Sequence, residues 1–158
     1  MNNTRKITYI GIGIALYVAV SMIVKIPIVN RIKLDLGYIV FALYLVHFGR
    51  TGTIVGVAGC VIANMMSGGS FPIAWAIGQT FIGLVLGTLY PKEEKLWKKI
   101  LYAVLILAIG LILIKSVLEI AMFRLPVAAK LLSNSAAWIA DLIPFVIGLF
   151  LAEKIKLR

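Results

Sequence analysis

Long apolar runs, cut by short charged stretches, dictate the solvent in which this chain can fold. They lie at about 7–26, 36–48, 53–66, 72–90, 100–123 and 133–152. Bilayer hydrocarbon is about 30 Å thick, so a spanning helix needs roughly 17–25 residues. The second and third runs are shorter than that and read as a helical hairpin across the tight turn Gly49-Arg50-Thr51-Gly52. The hydrophobic fraction is 62% and mean hydropathy +1.06, well above the roughly 45–50% apolar content of soluble domains. Lipid offers the backbone no hydrogen bonds, so each run is expected to be a helix. The expected fold is an all-α integral membrane protein: a compact six-helix bundle forming one domain over residues 1–158.

The stretches between runs set its orientation. Residues 1–6 are basic and precede an apolar run, but more runs follow and no small-residue cleavage site stands out. That run is expected to be retained as a helix rather than removed as a signal peptide. The segments 28–35, 91–99 and 124–132 read as loops, and Ser67-Gly68-Gly69-Ser70 as a flexible turn before Pro72, which suits the first turn of the fourth helix. Six spans place both termini on one side. That side would hold Arg5, Lys6, Arg50, the lysines of 92–99, Lys154, Lys156 and Arg158. The other would hold only Lys25, Arg31, Lys33, Arg124 and Lys130. The positive-inside rule then favours cytoplasmic termini, in the cell membrane of a prokaryote. The net charge of +10 flanks the spans, so it argues for a membrane surface and against nucleic acid.

Chemistry-bearing signatures are sparse. Cys60 is the one cysteine, which excludes an internal disulfide and a multi-cysteine metal site; a buried, inert thiol is expected. The chain lacks HExxH, GxSxG and GxxxxGK[ST] patterns. No catalytic residue, metal or cofactor is expected, and any ATP used must be bound by another subunit.

Polar residues inside spans are costly and mark function first. With 1.5 Å of rise per residue, Lys115 and Glu119 lie about 25 and 31 Å up the fifth helix from the cytoplasmic end. Trp75 and Gln79 lie about 5 and 10 Å below the outer end of the fourth. Trp138 and Asp141 lie about 6 and 10 Å below it on the sixth, which starts near Asn134. Asn64 ends the third on the same side. Four helices thus bring polar groups to the outer third of the membrane, where they would form an outward pocket. Tryptophan faces can stack on a planar ring while amides and charges orient it. Each residue also has a plainer use. Lys115 and Glu119 are four apart and could merely neutralise each other. The tryptophans could belong to the interfacial belt, as His47 could at the inner end. Asp141 lacks a basic partner four residues away in its own helix, so a pocket or inter-helix role suits it best.

The first helix differs. Gly11, Ala15 and Ala19 recur every four residues and leave a smooth stripe on which another helix can settle closely. Gly52/Gly56 and Gly83/Gly87 repeat the spacing, with contact inside the bundle as their simplest use.

Several stretches together resemble the substrate-binding S components of energy-coupling factor (ECF) vitamin transporters. Ala15-Leu16-Tyr17-Val18-Ala19 is similar to the family's AxxxA motif. Ile32-Lys33-Leu34-Asp35-Leu36-Gly37 enters a short second helix, followed by Phe48-Gly49-Arg50-Thr51-Gly52. Gly59-Cys60-Val61-Ile62-Ala63-Asn64 precedes the Gly/Ser turn, and Ile77-Gly78-Gln79-Thr80-Phe81-Ile82-Gly83-Leu84 follows it. The resemblance implies a subunit that binds a vitamin-like molecule near the outer face, beneath the loop joining helices one and two, here about 27–35. It implies docking through Ala15 and Ala19, with Gly11 extending the stripe, onto a transmembrane T component linked to two cytoplasmic ATPases. Substrate release would follow toppling in the membrane. The outer cluster of Asn64, Trp75, Gln79, Lys115, Glu119, Asn134, Trp138 and Asp141 would hold the ligand. Its mixed charges suit a zwitterionic or neutral flat heterocycle, such as a flavin, pterin or pyrimidine. A membrane scaffold without a ligand pocket is the competing reading.

Overall fold

The computed structural model describes residues 3–23, 25–29 and 32–155. Its elements are α1 (Asn3–Ile23), β1 (Lys25–Val29), β2 (Ile32–Asp35), α2 (Gly37–Phe48), α3 (Gly52–Met66), α4 (Ile73–Leu89), α5 (Leu96–Ala108), α6 (Lys115–Phe123) and α7 (Val127–Lys154). A π-helical stretch, Ile109–Ile114, joins α5 to α6. The basic sites Arg31, Lys156 and Arg158 lie outside the described residues.

Five helical stretches are long and apolar enough to cross a membrane. One of them, Gly37–Met66, does not run straight. At Gly49 the backbone takes φ 56°, a conformation that glycine adopts without a Cβ clash, and the chain folds back. The backbone of Tyr44 then faces Gly52, and the ring of Phe41 covers Gly56. The result is the expected hairpin. Its arms of 12 and 15 residues are about 18 and 22 Å long.

Contacts sort the molecule into two ends. At one, the Tyr44 hydroxyl donates to the carbonyl of Tyr9 (2.9 Å), Arg50 donates to Thr88 (2.7 Å), and Lys99 pairs with Glu153 (2.6 Å). His47 also lies there, its Nε2 2.6 Å from the carbonyl oxygen of Ile155. The first and last described helices thus begin and finish together. At the other end lie the β-strands, Asn64, Trp75, Lys115, Glu119 and Asn134. Between them, Phe41 and Phe145 meet edge to face (5.9 Å, 86°), as do Tyr38 and Phe41 (6.1 Å, 71°). Each such pair is worth about 0.5–1.5 kcal/mol beyond its buried area. Large apolar side chains point outward all around, with Leu132 76% and Ile7 70% exposed. In water such a surface would aggregate; in lipid it is matched.

Small residues set how closely the helices approach. A Cβ on Gly87 would fall 2.7 Å from the backbone of Arg50, so α4 presses directly on the turn between α2 and α3. Gly83 likewise meets Thr53. Gly52/Gly56 and Gly83/Gly87 are therefore used inside the bundle.

The π-helical stretch also has a packing reason. Lys99, Ala103, Leu107, Leu111 and Lys115 are all buried and spaced by four. An ideal α-helix turns 3.6 residues per turn, so such a row drifts off one face. The wider π turn absorbs the drift. It lies where α4 crosses, with Gly78 against the carbonyl of Gly110, and it keeps Lys115 facing inward.

Two local expectations are corrected. The segment 28–35 is not simply a loop. Strands β1 and β2 pair antiparallel, with Lys25 opposite Asp35, Ile26 opposite Leu34 and Pro27 opposite Lys33. Alternation in Ile32-Lys33-Leu34-Asp35 favours extended backbone, so the fold is helical except for this hairpin. The last helix starts at Val127, well before the expected 133. Arg124, left-handed at φ 50°, ends α6, and Pro126 sits at the cap of α7. The Ala-Ala-Lys-Leu-Leu sequence after Val127 favours helix, and Lys130 is no loop marker: its ammonium reaches Glu119 at 3.1 Å.

Candidate ligand site

A cavity of about 340 Å³ opens at the end away from the chain termini. It is lined by Ser21, Leu34, Asp35, Cys60, Ala63, Asn64, Ser67, Pro72, Trp75 and Asp141. A second hollow of about 300 Å³ shares Asn64, Pro72 and Trp75 and adds Lys115, Glu119, Phe71 and Met122 among others. Trp75 stands between the two.

Asp35 forms one wall of the first cavity. Its Oδ2 accepts the Tyr17 hydroxyl (3.0 Å) and its Oδ1 the Ser21 hydroxyl (2.5 Å). Oδ1 also accepts the N–H of Gly37 (2.9 Å), the self-bonding turn by which aspartate starts a helix. One carboxylate thus ties α1 to the start of α2. Gly37 must be small here, because Tyr17 and Ser21 close on it.

Asp141, on α7, also lines the cavity and is 2% exposed. Its Oδ2 has no hydrogen-bond partner among the described residues, and the indole N–H of Trp75 also lacks one. Buried polar atoms are seldom left so. One layer deeper, the Gln79 amide donates to the Tyr38 hydroxyl (2.9 Å), while its Oε1 is unpartnered.

The second hollow is different. Lys115 pairs with Glu119 (3.3 Å), donates to the Asn134 side-chain oxygen and lies 4.4 Å over the Trp75 ring. The Asn134 amide donates to Ser116 (2.9 Å) and to Glu119 (3.0 Å). Lys130 closes the cluster on Glu119 (3.1 Å). Every charge in it has a partner.

Of the residues singled out in the sequence, Asn64, Trp75 and Asp141 line the first cavity, and Asn64, Trp75, Lys115 and Glu119 the second. Asn134 lies behind Lys115, and Gln79 beneath Asp141. Trp138 lines neither cavity: its indole N–H donates to the carbonyl of Val104 on α5 (3.2 Å). Gly11, Ala15 and Ala19 are exposed on α1, and nothing lies within 4 Å of where a Cβ on Gly11 would sit. Sequence reasoning missed Ser21, Asp35 and Cys60 as cavity walls. From sequence alone Cys60 reads as an inert buried thiol and Asp35 as part of a polar loop.

The whole chain can be compared with known proteins. A family model described as the ECF-type riboflavin transporter, S component, matches residues 1–157. The chain belongs to the ECF-type riboflavin transporter S component family. Among solved structures, this S component is similar to the S component for biotin from an ECF-type ABC transporter. The TM-score is 0.70 at 18% identity, over 98% of this chain and 93% of the other; that likeness is one of fold. Curated relatives include UPF0397 proteins of Streptococcus. The one from Streptococcus thermophilus is 34% identical over 94 residues, 59% of this chain and 52% of the relative. The one from Streptococcus sanguinis is 38% identical over 89 residues, 54% of this chain and 49% of the relative. The chain spans about half the length of the curated relatives it matches.

Proposed function

We propose that this chain is the substrate-capture subunit of an ECF-type importer. It takes a water-soluble vitamin or related flat heterocycle from outside a prokaryotic cell. The fold crosses the membrane six times as a single domain, with both termini cytoplasmic. The cavity lined by Asp35 and Asp141 then opens outward, and the Lys99–Glu153 end faces the cytoplasm. Delivery occurs through a transmembrane T component driven by two cytoplasmic ATPases, so the chain itself catalyses nothing.

The observation that carries this reading is the cavity itself. It lies opposite the chain ends and is walled by polar groups from α1, α3, α4 and α7. Its polar walls and stacking surface favour a small amphipathic ligand over another helix, which weighs against the scaffold reading. Gly11, Ala15 and Ala19 leave α1 bare on the side away from the cavity, which suits them to the T component.

The test is thermal stabilisation of the purified protein by a panel of water-soluble vitamins and their precursors. At least one compound is expected to raise the melting temperature in a saturable way. If none does, and nothing co-purifies, the capture reading fails.

A further inference from the structure

The two hollows at the ligand end differ in charge, and that difference narrows the ligand. This step rests on the capture reading. Around Lys115 and Lys130 the cations are spent on Glu119, Asn134 and the face of Trp75. Each of these lysines is already engaged, and with one glutamate between them the cluster keeps one net positive charge. Among the described residues, the walls of the larger cavity carry two carboxylates, Asp35 and Asp141, and no lysine, arginine or histidine. Among the described residues, Asp35 is held by neutral donors only: Tyr17, Ser21 and the Gly37 N–H.

Asp141 decides the matter. A nearly fully buried carboxylate oxygen without a partner loses its hydration and gains nothing in return, a state proteins rarely keep. Asp141 and Trp75 both line the same space, which is large enough for a small ring, and the unpartnered Oδ2 lies buried just behind that wall. A neutral acceptor-rich group placed there would meet lone pairs; an anion would meet two like charges. A group that brings N–H donors and positive charge would complete Asp141, and its flat ring could lie on Trp75. We infer that this S component captures a cationic, nitrogen-rich planar molecule, an amidine-like or aminoheterocyclic cation. Its N–H donors go to the Asp141 carboxylate, beside Asp35. This replaces the zwitterionic or neutral ligand expected from the mixed charges of Lys115, Glu119 and Asp141.

The test uses the full-length protein in detergent or nanodiscs. Thermal stabilisation and calorimetry would compare thiamine (a cation of two flat rings, one an aminopyrimidine), benzamidine (a flat amidinium), benzamide (the neutral match of benzamidine), riboflavin (neutral) and biotin (an anion). Benzamidine should bind at least tenfold more tightly than benzamide, and thiamine should stabilise more than riboflavin or biotin. Asp141→Asn should weaken the cations by about 30-fold or more, as expected when a buried charged partner is removed. If riboflavin or biotin alone stabilises the protein, the capture reading stands and this inference falls. Benzamidine and benzamide binding alike would also overturn it, and so would an Asp141→Asn protein that keeps full affinity for the cations. If nothing in the wider vitamin panel stabilises, both readings fall. Should Asp141→Asn fail to fold, the matched pair on the unaltered protein decides.

Discussion

Helix α1 has two faces built to opposite rules. The inward face is used completely. Gly13 lets the Tyr44 ring and Val55 close in, Tyr17 is fully buried, and Tyr17 and Ser21 both donate to Asp35. The outward face carries Gly11, Ala15 and Ala19, all exposed among the described residues, with open space at Gly11. Small residues appear on both sides, yet on one they admit a neighbour already present and on the other they remain bare. Spacing alone therefore does not tell an internal contact from an external one; the partner across the gap does.

The sharpest way to break this contrast is Gly13→Leu. A Cβ there would lie 2.6 Å from the Tyr44 ring and 2.9 Å from Val55. Overpacking of this kind costs about 1–3 kcal/mol, and more where backbone must shift. A clear fall in melting temperature and folded yield is expected; a protein that melts normally would mean the inward face is loosely packed. Next in size is the double change Ala15→Leu and Ala19→Leu. Cellular uptake should fall at least tenfold while melting temperature and ligand affinity hold. Loss of affinity in a complex that still assembles would contradict a docking role for this face.

Tyr17→Phe probes the inward face more gently. It removes one hydroxyl from Asp35, worth about 1 kcal/mol, and should weaken ligand binding a few-fold through a less fixed wall. Ser21→Ala should behave alike; if neither changes binding, Asp35 does not depend on α1. Gly11→Ala is the mildest test on the outward face. Nothing obstructs the added methyl, and glycine in a helix costs roughly 0.5–1 kcal/mol relative to alanine, so melting should stay level or rise slightly.

A control far from both faces is Glu93. The Lys95 backbone N–H donated to it (3.0 Å) and the Lys98 ammonium (3.3 Å) hold its carboxyl below the ordinary range. A lowered carboxyl pKa contributes stability above the ordinary value, and that contribution is lost as pH falls through the lowered one. A surface pair contributes little, so Glu93→Gln should flatten the acid limb of a pH–melting profile only slightly and leave ligand affinity untouched.

Much of this was legible in the sequence, and the reasons differ by element. Spans could be read because lipid forces the backbone into helices, so hydropathy and length suffice. The convergence of Asn64, Trp75, Lys115, Glu119, Asn134 and Asp141 at one end followed from rise per residue alone. Rotation about a helix axis was harder. Trp138 stands at the right depth but on a neighbouring face of α7, and donates sideways to Val104. Asp35 was lost for another reason: a charge at the end of a short, lysine-bearing polar segment reads as solvated. Its position two residues before Gly37, as a helix-starting aspartate, was the available signal.

The ties on Asp35 also have a mechanical meaning. Helix α1 measures about 30 Å, and its two hydroxyl grips sit near the far end from the chain terminus. A tilt of about ten degrees around that terminus carries Ser21 through roughly 5 Å, far more than a hydrogen bond tolerates. Either the carboxylate travels with the helix or its grips release. In both cases one side of the cavity shifts, and whatever leans on the bare face of α1 has a lever arm on the ligand.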